Sequence, residues 1–196
     1  MRFLPLVLLF AALPAVARQD SSEGLHPVQL DLKVKADQVF RVIEDEMMGE
    51  ANELFEDGQF ARSVQLLRLR YGIYPGNYDA VTDLGWMLTN IEEDAQVIEI
   101  YRTYLTENKK DVDRGLPLAT YFTVKKRPKD VIEVLAPLVG EKGQHPNNYR
   151  MLAKAYEREE RLKEALDVYK RLVKVFPEDG AAKANIARIE KKLAGG

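Results

Sequence analysis

Apolar and polar residues alternate in the stretch "VQLDLKVK". Val28, Leu30, Leu32 and Val34 take turns with Gln29, Asp31, Lys33 and Lys35. A period of two is that of a half-buried β-strand, whose successive side chains point to opposite faces. No second segment repeats the pattern, so a strand arm over 28–35 must lie against another element or stay mobile. The preceding "RQDSSEGLHP" is polar, carries turn formers and reads as the start of a flexible leader, 18–43, that includes the arm and the beginning of the first helix.

From Asp37 the period lengthens. Asp37 is a plausible N-cap, and Val39, Phe40, Ile43, Met47, Ala51, Leu54 and Phe55 recur at helical spacing up to Gly58. The rest of the chain alternates between helical runs and short breaks, and the runs are related to one another. Small residues fall at Ala51, Gly85, Ala119 and Ala153, each 34 positions after the last. Bulky apolar residues flank them. Two helices approach closely only where side chains are small, so this spacing marks a repeated helix contact.

The clearest unit is "LAKAYEREERLKEALDVYKRLVKVFPED", with Leu152, Ala153 and Tyr156 in a first helix, Ala165 and Tyr169 in a second, and Pro177 as its stop. It resembles a tetratricopeptide repeat. Steps of 34 residues give units at 44–77, 78–111, 112–145 and 146–179, followed by an amphipathic stretch, 180–196, that suits a closing helix and tail. The resemblance implies an all-α, right-handed α-solenoid of four helix-turn-helix units plus a C-terminal capping helix. Such units cannot bury their apolar faces alone and share one continuous core. Glu50 departs from the family's leucine. Arg70, Tyr104, Leu138 and Leu172 stand where it places alanine, so non-standard packing between neighbours is expected. The third unit carries Pro117, Pro128 and Pro137. Pro128 can start a helix, but Pro137 should kink or break one.

The N-terminus has a different pattern. Arg2, an apolar run from Phe3 to Ala12, and Ala15-Val16-Ala17 have the order of a secretory signal over 1–17. The run is too short to span a bilayer stably. The expectation is export, to a bacterial periplasm or the extracellular space, with no membrane span after cleavage.

Composition adds mainly exclusions. The formal charge is −2, which offers no basic field to nucleic acid. There is no cysteine, hence no disulfide, thiol nucleophile or thiolate metal site. His26 and His145 both sit beside prolines and read as turn residues rather than metal ligands. No phosphate-binding or nucleophile-elbow motif is present, and the carboxylates lie on charged helix faces as i,i+4 partners. No catalytic residue, cofactor or metal is expected. The cluster "KKRPK" over 125–129 reads as a solvated turn.

Trp86, the single tryptophan, then takes on weight. Val81, Leu84, Gly85, Leu88 and Ile91 form one stripe of its helix, and Trp86 falls roughly 150° from the centre of that stripe. The resemblance implies that this side of each first helix lines a concave groove. The matching positions give a partner-binding set of Met48, Asn52, Phe55, Trp86, Asn90, Thr120, Arg150, Lys154 and Arg188. Such a groove is aromatic at one end and basic at the other, suited to a protein or peptide partner with apolar and acidic groups. The alternative for Trp86 is burial against Met48 or Phe55. The carboxylate clamp of some relatives does not carry over, because Met48, Asp83 and Pro117 occupy three of its positions. The expected function is a non-enzymatic protein-interaction module acting outside the cytoplasm. The alternative is a structural subunit of a cell-envelope assembly, held through its edges or convex face.

Overall fold

The computed structural model describes residues 27–195. Every regular element among them is a helix. They run as α1 (Pro27–Glu56), α2 (Phe60–Ile73), α3 (Tyr78–Asn90), α4 (Asp94–Glu107), α5 (Leu116–Val124), α6 (Pro128–Leu135), α7 (Pro146–Arg158), α8 (Leu162–Val175) and α9 (Gly180–Ala194). Each helix packs on the next, and α5 also reaches α7. The result is an all-α, solenoid-like stack of hairpins. One apolar core runs through it, from Ala51 and Leu67 through Leu84, Val97, Leu118, Phe122 and Leu152 to Tyr169 and Ile189.

The turn inside each hairpin has the same geometry. Gly58, Glu92, Lys126 and Glu160 all adopt positive φ, between 56° and 74°. In each, the amide of the next residue donates to the carbonyl five positions back: Gln59 to Leu54, Glu93 to Leu88, Arg127 to Phe122, and Arg161 to Tyr156, at 2.7–2.9 Å. Only the first turn has a glycine to relieve the left-handed conformation, so the other three hold a cost of about 1 kcal/mol each. They persist because the two helices on either side are fixed by packing.

The small residues sit where helices touch. Ala51, Ala119 and Ala153 are essentially fully buried, and Gly85 is buried. A Cβ at Gly85 would overlap the Tyr101 hydroxyl and ring. Two of the bulky residues at the unusual second-helix positions, Arg70 and Tyr104, each fix a neighbour. Arg70 is buried and reaches Glu44 of α1 at 2.9 Å and Asp83 of α3 at 2.6 Å, tying three helices. The Tyr104 hydroxyl donates to Asp111 at 2.6 Å, in the loop that leads into the next hairpin. Leu138 enters the space beside Gly115 that a side chain there would fill.

Three expectations need correction, and all concern α1. The period-two stretch 28–35 is helical, and Asp37 lies inside the helix rather than at its cap. Val28 and Leu32, like Leu30 and Val34, are also four residues apart, so the alternation fits a helical face as well. A lone segment can satisfy its backbone only internally, as a helix does. A leader over 18–43 is likewise replaced from Pro27 onward by helix. The secretory signal expected over 1–17, and residues 18–26, lie outside the described residues. The break expected at Pro137 is present: α6 stops at Leu135 and the chain turns through 136–140.

Candidate functional site: the face shared by the first helices

Asn52, Trp86, Thr120, Lys154 and Arg188 stand 34 residues apart on α1, α3, α5, α7 and α9, and all five are exposed. They form one row across the stack. Cross-helix contacts join two parts of the row, α1 with α3 and α5 with α7 and α9. The ring centroids of Phe55 and Trp86 lie 5.2 Å apart, joining α1 to α3. Thr120 Oγ1 reaches Met151 Sδ at 3.9 Å, joining α5 to α7. Arg188 donates to Glu157 at 2.6 Å, joining α9 to α7.

The aromatic end is built on α1 and α3. Val81, Leu84 and Leu88 of α3 are fully or nearly fully buried, so the helix turns its opposite side outward. Trp86 is there, 54% exposed. It is not interior, although it does pack on Phe55. Phe55 is half-buried beneath it and also meets Phe60, with centroids 5.3 Å apart. Met48 is half-buried and belongs more to the core than to the surface. Asn90 is exposed beside the indole and donates through Nδ2 to the Trp86 carbonyl at 2.9 Å. Phe60, exposed at the start of α2, extends the patch and was not among the expected site residues. Its helix is not a first helix, so the 34-residue row does not contain it. In the middle of the face, Thr120 is joined by Val124, 67% exposed at the end of α5.

The basic end is narrower than the row of cations suggests. Arg150 donates to Asp179 at 2.7 and 3.1 Å and to Asn147 at 2.9 Å. Arg188 is held by Glu157 and Asn185. Asp179 caps α9 through the Ala182 amide. That bond first, and Arg150 second, hold its carboxyl below the usual range. Lys154 and Arg158 are exposed with no ion-pair partner among the described residues. They are four residues apart on α7 and therefore neighbours. Two of the expected cations thus already have carboxylate partners, and the charge open to a ligand is concentrated on Lys154 and Arg158.

The chemistry of this face is that of contact. Among the described residues no group of His, Asp and Glu is placed to hold a metal ion. His145 caps α7, its Nδ1 accepting from the Asn147 amide at 3.2 Å. The 125–129 cluster is a turn whose charges are shared out. Lys125 pairs with Asp94 at 2.6 Å, and Arg127 pairs with Asp130 while lying over the Phe122 ring.

Comparison with known sequences agrees with the repeated geometry. Residues 146–189, spanning α7, α8 and the first part of α9, match the tetratricopeptide repeat family. The match covers the fourth hairpin and part of the closing helix. Solved structures share its fold. MamA 41-end from Desulfovibrio magneticus RS-1 superposes with a TM-score of 0.55 at 13% identity, covering 76% of this chain and 85% of that one. A MamA RS-1 double mutant gives 0.56 at 14%, covering 76% and 84%. MamA AMB-1 gives 0.55 at 16%, covering 79% and 84%. At these identities the likeness concerns fold alone. No curated protein matches the chain.

Proposed function

We propose that this chain, a stack of hairpins resembling tetratricopeptide repeats, is a non-enzymatic adaptor that binds an extended segment of a partner protein along the shared face of α1, α3, α5, α7 and α9. The observation that carries the reading is Trp86. A large aromatic ring is supported from below by Phe55 and left open above, on a face without catalytic constellations. Tryptophan and arginine are the residue types that most often dominate binding energy. The segment places an apolar side chain on Trp86 and Phe60, runs past Thr120 and Val124, and sets an acidic group against Lys154 and Arg158. Arg150 and Arg188 act on the ligand less directly, because each must keep or exchange its carboxylate partner.

The pattern at 1–17 supports action outside the cytoplasm, in a periplasm or beyond. No described helix is long and apolar enough to cross a membrane. The test is affinity capture from the native cell fraction with three baits: the unaltered protein, Trp86→Ala, and Lys154→Glu/Arg158→Glu. Partners held by the first bait and lost from both variants support the groove. Partners retained equally by all three point instead to the edges or convex face, as in a structural subunit of an envelope assembly.

A further inference from the structure

The connection between the second and third hairpins departs from the others. Asn77, Asp111, His145 and Asp179 stand at one repeat position, 34 residues apart. α3, α7 and α9 begin directly after Asn77, His145 and Asp179, but α5 begins only at Leu116. Pro117 accounts for the delay. A helix starting at 112 would hold Pro117 in its interior, where it removes a hydrogen bond and clashes with the preceding turn. The helix starts beside the proline instead, with Pro117 in its first turn. Where the missing turn would lie there is a cleft of about 590 Å³, whose lining includes Tyr78, Tyr104, Asp111, Asp113, Leu116 and His145.

The delay changes what the Asp111 carboxylate does. Asn77 and Asp179 cap the helices that follow them, accepting from the Ala80 and Ala182 amides. Asp111 has no helix to cap. It accepts from the Asp113 amide at 2.8 Å and from the Tyr104 hydroxyl at 2.6 Å. Asp113 accepts from the His145 amide at 2.9 Å and from the Asn148 side chain. Every one of these donors is neutral, and neither carboxylate has an ion-pair partner among the described residues. Arg114 is nearby, but its guanidinium is bidentate with Glu141 and takes only the main-chain carbonyl of Asp111. The negative charge is felt at Tyr78, whose phenol is pushed above its ordinary value first by burial and then by Asp111, Asp113 and Asp79.

The fourth hairpin shows what such a carboxylate takes. Its turn is the same: the Asp179 amide donates to the Phe176 carbonyl at 3.1 Å, as the Asp111 amide does to Asn108 at 2.9 Å. There the guanidinium of Arg150 meets Asp179 at 2.7 and 3.1 Å. Thr82 stands at the repeat position of Arg150, and its hydroxyl turns back to the Tyr78 carbonyl at 3.0 Å. One carboxylate has a guanidinium supplied from within the chain and its equivalent has none. We propose that the cleft binds the guanidinium of an arginine side chain from a partner polypeptide, held by Asp111 and Asp113 with the Tyr78 ring as one wall. The ring is 38% exposed, and a planar guanidinium suits both an aromatic face and a carboxylate. The lining holds no lysine or arginine to receive the α-carboxylate of a free amino acid, so the cation arrives on a polypeptide. Tyr78 opens α3 and Trp86 lies about 12 Å further along it at 1.5 Å per residue, so the cleft is separate from the indole and does not depend on the groove reading.

The experiment titrates Nα-acetyl-arginine amide into the isotope-labelled full chain and follows backbone amide shifts by NMR. Saturable shifts are expected at residues 78, 104, 111–113 and 116. The citrulline analogue has the same shape without the charge, and should bind about tenfold more weakly or less, the equivalent of one charge-assisted hydrogen bond. Two variants remove the site in different ways. Asp111→Asn takes away the charge, and Thr82→Arg supplies an internal guanidinium as Arg150 does; both should abolish the response while the remaining spectrum reports an intact fold. Equal binding of the arginine and citrulline probes overturns the proposal, and so does undiminished binding to both variants. Tighter binding of free arginine than of the blocked probe would mark a small-molecule site and overturn the assignment to a polypeptide. Trp86→Ala should respond to the probe as the native chain does, so a failed groove and a failed cleft are read out separately.

Discussion

The indole of Trp86 rests on the ring of Phe55, with centroids 5.2 Å apart and planes inclined by 55°. The lower ring is half-buried and the upper one is mostly open. This arrangement fixes the position of Trp86 while leaving one face of it available, so little conformational entropy remains to be lost when a ligand arrives.

Trp86→Ala should consequently be mild for the fold. It removes one aromatic pair, worth about 1 kcal/mol beyond area, and far less than the roughly 3–5 kcal/mol typical of aromatic truncation in a core. Chemical denaturation of the variant checks this, and a loss in the core range would place Trp86 inside.

Gly85→Ala should be the harsher change. The added methyl meets the Tyr101 hydroxyl and ring, which are buried and cannot swing away. Overpacking of this kind costs about 1–3 kcal/mol. Adding Tyr101→Phe should recover part of the loss, because the hydroxyl is the nearest atom. Equal stability of the single and double variants would show that the helices had separated instead.

Stability should fall in acid partly through Asp179. Its carboxyl is held below its ordinary value by the Ala182 amide and then by Arg150. A depressed carboxylate contributes stability above its unfolded pKa, about 3.9, and loses it as pH drops through the folded value. Thermal melting from pH 6 to pH 2 should show a shallower decline for Asp179→Asn than for the native chain, with the difference confined to below about pH 4. Parallel curves would remove Asp179 from the account.

The third hairpin should open first. α6 has eight residues where α8 has fourteen, and Pro137 follows its end. A stack opens locally at its weakest unit. Amide exchange in 129–142 should outpace exchange in 163–176, and equal protection would contradict a weak unit.

What the sequence made legible follows from periodicity. Ala51, Gly85, Ala119 and Ala153 announce close helix contacts, Pro137 announces the end of α6, and the 3.6-residue period points Trp86 away from its own core. Residues 28–35 read as a strand, yet their alternation also sets Val28 four residues from Leu32 and Leu30 four from Val34. Two residues four apart belong to a helix as readily as to a strand. The shielding of Arg150 and Arg188 was not legible. Asp179 and Glu157 lie 29 and 31 residues away along the chain, and only the packing of α9 against its neighbours brings them into range. Phe60 escapes the repeat register because its contact with Phe55 is made across the hairpin turn.

The central claim, that a partner segment lies on the Trp86 face, has a direct spectroscopic test. Trp86 is the only tryptophan, so the chain's indole emission reports this position alone. The free protein should emit as an exposed indole and be quenched readily by acrylamide. Saturation with a tryptophan-free peptide from a captured partner should shift the emission to the blue and protect it from quenching. Saturating binding with unchanged emission and unchanged quenching would place the partner elsewhere on the molecule and contradict the account.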